Sequence, residues 1–155
     1  MQTYVTDEQM DNVWQEVCRK SESQILAMQK RHRKEQKVLV NFACDHLLDL
    51  REDAAGVGIY VFHVIVEAFS GAFPRPQPVR RPEITQVLML SDETLAQEVK
   101  AIEPHAAQYL EEALAEEGDV MLFDEEQVYF THIIQIAILC LHMACEKRAE
   151  LLKRR

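Results

Sequence analysis

The residues best placed for chemistry lie in an otherwise apolar stretch at 57–73. Tyr60, His63, Glu67 and Ser70 recur three or four residues apart, so on a helix they would lie within about 80° of one another. A histidine and a carboxylate four residues apart can share a metal ion, or the carboxylate can orient the imidazole as a general base. The pair can equally be a structural ion pair. We take His63 and Glu67, with Tyr60 beside them, as a candidate ligand or metal site.

A second row of polar residues runs through the last apolar stretch and comprises His132, Gln135, His142 and Glu146. An apolar row lies opposite on the same predicted helix, which is typical of a partly exposed surface helix. We therefore expect this row to face solvent. His132, or another histidine, is the residue that would complete a metal site begun by His63 and Glu67.

The sequence lacks the motifs that usually mark catalytic or cofactor sites. It contains no Glu-x-x-His, so a carboxylate-bridged di-iron site of the four-helix type is not expected. It also contains no GxGxxG, GxxxxGK[ST], HExxH or GxSxG. We assign no catalytic residues and no cofactor other than the alternative of a divalent metal, and we lean towards a protein that is not an enzyme.

Length and composition predict a single all-α domain. A chain of 155 residues with 48% apolar and 28% charged residues falls in the globular range. Four glycines and five prolines are too few for a β-sandwich with many tight turns. We expect a bundle of about five to six helices across residues 1–155, with no strand.

The N-terminal region, 7–52, is predicted to be helical because residues 1–55 contain no glycine or proline. Thr6 and Gln9 form a capping box at its start. One continuous helix would be roughly 65 Å long, whereas a compact domain of this size is only about 40 Å across. Either the region breaks near Ser21, which Gln24 follows as in a second capping box, or it turns in its basic middle at 29–37. Otherwise a continuous helix projects from the domain or packs in an oligomer.

The remaining segments are predicted from composition and turn residues. An apolar helix is predicted at 57–73, and a proline-rich surface linker follows it at 73–82. Acidic helices are predicted at 83–118 and a C-terminal helix at 124–152. The two most apolar stretches are interrupted by polar residues, so we expect core helices and no membrane span.

Charge is distributed unevenly along the chain. Residues 92–126 carry twelve acidic residues and one basic residue, a net charge of −11, while the whole chain carries −9 and the remainder therefore +2. Basic residues concentrate in the middle of the N-terminal region, where they comprise Lys30, Arg31, Arg33, Lys34 and Lys37. Opposite charges steer association between proteins, so this segment is a candidate partner surface.

These features predict a protein-interaction or adaptor module that acts through oligomerisation or through a charged partner surface. A metal- or small-ligand-binding bundle built on His63 and Glu67 is the alternative. Nucleic acid is not expected as a partner, since the acidic half would repel phosphates. The polar start of the chain and four cysteines without zinc-site spacing favour a cytoplasmic protein with reduced thiols.

Overall fold

The computed structural model describes residues 2–73, 76–116 and 123–153. Within these ranges every regular element is an α-helix, which confirms the all-α class. There are eight helices in the described residues, so the prediction of five to six is wrong. They are α1 Asp7–Arg19, α2 Glu22–Glu35, α3 Lys37–Leu47, α4 Glu52–Ala72, α5 Arg81–Leu88, α6 Asp92–Ile102, α7 Pro104–Glu116 and α8 Asp124–Lys153.

The N-terminal region is neither one helix nor two. Thr6 and Ser21 each cap a helix through a complete capping box, as the sequence indicates. A further break follows at Gln36, whose backbone adopts φ −131° and ψ 50° and is therefore not helical. The region therefore consists of three helices instead of one continuous helix, and it folds back within the domain.

Gln36 accounts for the additional break through its side chain, which is buried and bridges to the chain beyond α4. Its amide nitrogen donates to Gln77 O at 3.0 Å, and its amide oxygen accepts from Val79 N at 2.8 Å. Val79 itself is buried. The linker predicted at 73–82 is therefore partly packed in the core and not wholly at the surface. It ends at Arg80, because α5 begins at Arg81, and residues 74 and 75 lie outside the described residues.

Two long apolar helices, α4 and α8, pack against each other at the centre, and the other helices surround them. α4 begins at Glu52, five residues earlier than predicted. Gly58 permits the close approach of three helices, because a Cβ atom there would lie 2.9 Å from Leu47 Cδ2 and 3.1 Å from Phe130 Cδ2. The segment predicted as acidic helices at 83–118 comprises α5, α6 and α7, with its last two residues outside the described part.

Both central helices are long and apolar enough to cross a membrane when judged by length and composition. The segments are Glu52–Ala72, with a mean hydropathy of 1.5, and Asp124–Lys147, with 1.7. In the fold, 61% and 67% of their most apolar windows are buried. Burial of this extent is what the core helices of a globular domain have, and the absence of a membrane span stays a prediction.

Candidate functional site

A buried cluster of polar side chains forms where α2 packs against α4. The buried side of α2 carries Met28 and, one turn later, His32, which is completely buried. His63 is buried on the facing side of α4, and Glu67 follows one turn later. The α2–α4 histidine cluster, defined as Arg31, His32, His63 and Glu67, is thus assembled from two helices.

His32 is the centre of this cluster and links the two residues that the sequence singled out. Its Nδ1 lies 2.8 Å from His63 Nδ1, and its Nε2 lies 3.2 Å from Glu67 Oε2. Arg31 Nη2 donates to the same carboxylate oxygen at 2.6 Å. The two imidazole rings are nearly parallel, with centroids 5.0 Å apart. Glu67 therefore orients His32 directly and reaches His63 only through it.

The positions of the protons follow from these contacts. Glu67 is an ionised acceptor, so His32 Nε2 must carry a hydrogen. Exactly one hydrogen can occupy the short contact between the two Nδ1 atoms, because two N–H groups would point at each other. The cluster therefore cannot hold both imidazoles in the protonated form without breaking that contact.

The surroundings shift the pKa values of the cluster in a consistent direction. Burial, the nearby His32 and the nearby Arg33 lower the pKa of His63 to about 3. Burial by itself raises the pKa of Glu67, but hydrogen bonds from His32 and Arg31 outweigh it and lower that pKa to about 2. At neutral pH His63 is thus neutral and Glu67 is ionised.

This arrangement is a hydrogen-bonded network. Among the described residues, no group of three His, Cys, Asp or Glu side chains is arranged to hold a metal ion. The Nδ1 atoms of His32 and His63 are occupied by each other, and the carboxylate oxygen of Glu67 that faces them accepts from two donors. The contacts support a chain of hydrogen bonds in which one imidazole Nδ1–H donates to the other ring and His32 Nε2–H donates to Glu67.

The other predicted site residues lie elsewhere. Tyr60 Oη is 3.3 Å from Cys18 Sγ on α1, away from the imidazole contact. His132 Nδ1 is 3.3 Å from Asp92 Oδ1 at the start of α6. The structure therefore brings His63 and Glu67 together with His32, whereas His132 contacts Asp92.

A second cluster, in which Glu103 and His142 are buried and Glu146 is exposed, joins α8 to the end of α6. The α8 histidine cluster is defined as Glu103, His142 and Glu146. Its central residue is His142, whose Nδ1 lies 3.2 Å from Glu103 Oε1 and whose Nε2 lies 3.1 Å from Glu146 Oε1. The other oxygen of Glu103 accepts from Val5 N at 2.9 Å. Burial lowers the pKa of His142, but the two carboxylates outweigh it and raise that pKa. His142 is buried, so the expectation that this polar row faces solvent is wrong at this residue.

Sequence reasoning missed His32, Gln36 and Glu103, all of which are buried. A signal existed for the first two, since Met28, His32 and Gln36 are spaced four residues apart and so continue the buried side of the helix. Glu103 offered no such signal, because nothing in its sequence neighbourhood distinguishes it from the other acidic residues at 92–126.

The opposite side of α2 and the start of α3 form an exposed basic surface. All five predicted partner residues are solvent-exposed, and this basic surface is defined as Lys30, Arg31, Arg33, Lys34 and Lys37. Among the described residues, Arg31 is the only member within 4.0 Å of a carboxylate oxygen. Arg33 interacts with the Cys44 thiol, and the three lysines form no ion pair with the described residues.

Comparison of the chain with protein-family models, curated proteins and solved structures found no significant match. Any function must therefore be inferred from the geometry of the clusters and surfaces themselves. The histidines of both clusters are buried and hydrogen-bonded within them, whereas the basic surface is exposed.

Proposed function

We propose that this chain is a protein-interaction module whose basic surface binds an acidic protein surface, the first partner to test being a second copy of the chain. The exposure of all five basic residues along α2 and α3 is the observation that supports the proposal. Apolar contact is available beside them, since the Leu26 side chain is 60% exposed and Val38 is 36% exposed. Such a mixture is typical of protein-binding surfaces.

The opposite, buried side of α2 anchors the helix that carries the basic surface. Met28 and His32 are buried beneath it, and Arg31 belongs both to the basic surface and to the α2–α4 histidine cluster. Packing of this kind fixes the position of the α2 backbone from which the exposed side chains project. A surface that is already ordered loses less conformational entropy when a partner binds.

A second copy supplies the complementary charge. Glu98 on α6 and Glu111 on α7 are exposed, within the region that carries −11. Contact between a basic patch and a different, acidic patch of the next copy is a head-to-tail arrangement. Its stability should fall with added salt, because exposed charges are screened over about 10 Å at 0.1 M.

Size-exclusion chromatography with light scattering, at low and high salt, tests the proposal. We expect a mass above 18.0 kDa that rises with protein concentration at low salt and falls towards the monomer at high salt. Lys30→Glu with Lys34→Glu should remove association, and so should Glu98→Lys with Glu111→Lys. A mixture of the two variants should associate again, since each provides the charge that the other lacks.

The matched control is Arg19→Glu with Lys100→Glu, which makes the same change of charge at exposed residues outside the basic surface. This variant should associate like the wild type. A monomeric mass for the wild type at every concentration and salt would overturn self-association. The cytoplasmic location and the absence of a membrane span belong to this proposal and rest on the sequence pattern.

A further inference from the structure

A groove lies between the end of α5, α6 and the second half of α8. This α5–α6–α8 groove has a cavity volume of about 370 Å³. Val87 and Leu139 are buried in its wall, and Leu90, Ile102 and Met143 line it as half-buried side chains. The groove is thus a mostly apolar depression, in which an apolar side chain of a partner would lose its contact with water.

The rim of this groove is acidic. Glu98 of α6 and Glu146 of α8 line it and are exposed, and the described residues that line it include no lysine or arginine. His142 lines it as well, but this residue is buried, and its two ring nitrogens contact Glu103 and Glu146. Lys147, which follows Glu146, is already in an ion pair. The rim therefore favours a partner with positive charge.

The exposed side of α2 has the complementary arrangement. Leu26, Lys30 and Lys34 are spaced four residues apart, so they share one side of the helix, and all three are exposed. Helices that bind in a groove place apolar anchors in it at such spacings, and charged residues beside the anchors pair with the rim. In α2 one apolar anchor is followed by two lysines.

A second copy is needed to bring these two surfaces together. Within one copy α2 packs against α3 and α4, whereas α5, α6 and α8 form the groove. Leu26 and Lys30 are exposed, so the groove of their own chain does not cover them. A contact between two different surfaces is heterologous, so each copy can bind one neighbour through α2 and another through the groove.

We propose that the α5–α6–α8 groove is the docking site for α2 of a second copy, with the Leu26 side chain in the groove. Lys30 and Lys34 then lie at the rim, where Glu98 and Glu146 provide the carboxylates. This inference rests on the proposed function and names the acceptor of its basic surface. Burial of the leucine supplies affinity, and the ion pairs orient α2 in the groove and make the contact sensitive to salt.

Leu26→Ser tests the apolar part of the docking without a change of charge. Its control is Leu48→Ser, because the two leucine side chains are similarly exposed, at 60% and 63%. Light scattering at low salt, over a range of protein concentrations, measures the dissociation constant. Leu26→Ser should raise it about tenfold or more, and Leu48→Ser should leave it unchanged. Equal association of both variants would mean that Leu26 does not enter the groove.

Glu146→Lys tests the rim, with Glu150→Lys as its control. Glu150 is exposed one turn later on α8 and does not line the groove, so both variants make the same change of charge. Glu146→Lys should weaken association about tenfold or more, whereas Glu150→Lys should have a much smaller effect. Circular dichroism checks that both variants fold. Equal weakening by the two variants would indicate attraction by net charge and would overturn the docking site.

Photo-crosslinking locates the contact directly. A photoreactive p-benzoylphenylalanine replaces Leu26, isotopically labelled and unlabelled copies are mixed, and mass spectrometry identifies the links between copies. We expect links to Leu90, Ile102 or Met143 in the groove. Links only to other surfaces, or none between copies, would overturn the docking site and leave the proposed function standing if the wild type still associates. A wild type that is monomeric at every concentration and salt would overturn both.

Discussion

The two buried histidine clusters use the same residue type in opposite ways. In the α2–α4 histidine cluster, burial and neighbouring positive groups lower the pKa of His63 to about 3. In the α8 histidine cluster, Glu103 and Glu146 outweigh burial and raise the pKa of His142. The difference shows that burial alone does not decide the protonation of a histidine, because the charge of the groups in contact with it can reverse the effect.

The clusters also differ in how far solvent reaches them. Glu103 is completely buried and accepts from both Val5 N and His142. Glu67 keeps 19% of its side chain exposed, and its partner Arg31 keeps 43%. Solvent screens the second carboxylate more effectively, so its loss should be tolerated better.

The largest expected effect is therefore loss of the buried carboxylate. Glu103→Ala should lower the free energy of unfolding by about 3–5 kcal/mol, because the buried His142 and Val5 N lose their partner together. Glu67→Ala should cost about 1–2 kcal/mol, because the buried His32 Nε2–H loses its acceptor while the exposed Arg31 can turn to water. Chemical denaturation at neutral pH measures both values.

Glu98→Ala is the control for this comparison, because Glu98 is exposed on the same helix that precedes Glu103. Its effect should stay within about 0.5 kcal/mol. If Glu67→Ala proved more costly than Glu103→Ala, the ranking of the two clusters by burial would be wrong.

The next largest expected effect is the loss of folding stability at acid pH. His63 has a folded-state pKa near 3 and an ordinary value of 6.5, so the unfolded chain binds a proton first. The stability contributed by neutral His63 is complete above pH 6.5 and is lost as pH falls towards 3. His63→Phe should reduce the loss of stability between about pH 7 and pH 5 by about 1–2 kcal/mol.

Denaturation curves at several pH values, recorded for the wild type and for His63→Phe, provide this measurement. His46→Phe is a suitable control, since His46 is only partly buried and contacts Tyr129 outside both clusters. An unchanged acid slope in His63→Phe would show that His63 does not govern it.

The smallest expected effect has the opposite sign and belongs to His142. Its pKa is raised, so the stability that its protonated form contributes is present below pH 6.5 and is lost as pH rises through the folded-state value. His142→Phe should flatten this decline on the alkaline side, by less than the change at His63. The same denaturation series, extended above pH 7, tests the sign, and a steeper alkaline decline in the variant would refute it.

Much of the local structure was predictable, and the partners of the polar residues were not. The capping boxes of Thr6 and Ser21 were read correctly because each involves residues only three positions apart. The break at Gln36 lies in the basic middle, where a turn was one of the predicted alternatives, but the sequence did not identify the residue because its contacts are with residues 77 and 79, about forty positions away. His63 and Glu67 were identified as a pair of interest, but the residue that joins them, His32, lies on another helix.

By itself, the sequence determined the all-α class, the capped starts of α1 and α2, and the separation of basic from acidic segments. These properties depend on interactions within one turn of helix or on composition alone. The tertiary structure decided which polar residues are buried, since their partners lie far along the chain: 31 residues between His32 and His63, and 98 between Val5 and Glu103. A charged side chain can be buried only where packing brings it a partner, and one helix cannot specify what the next one will place against it.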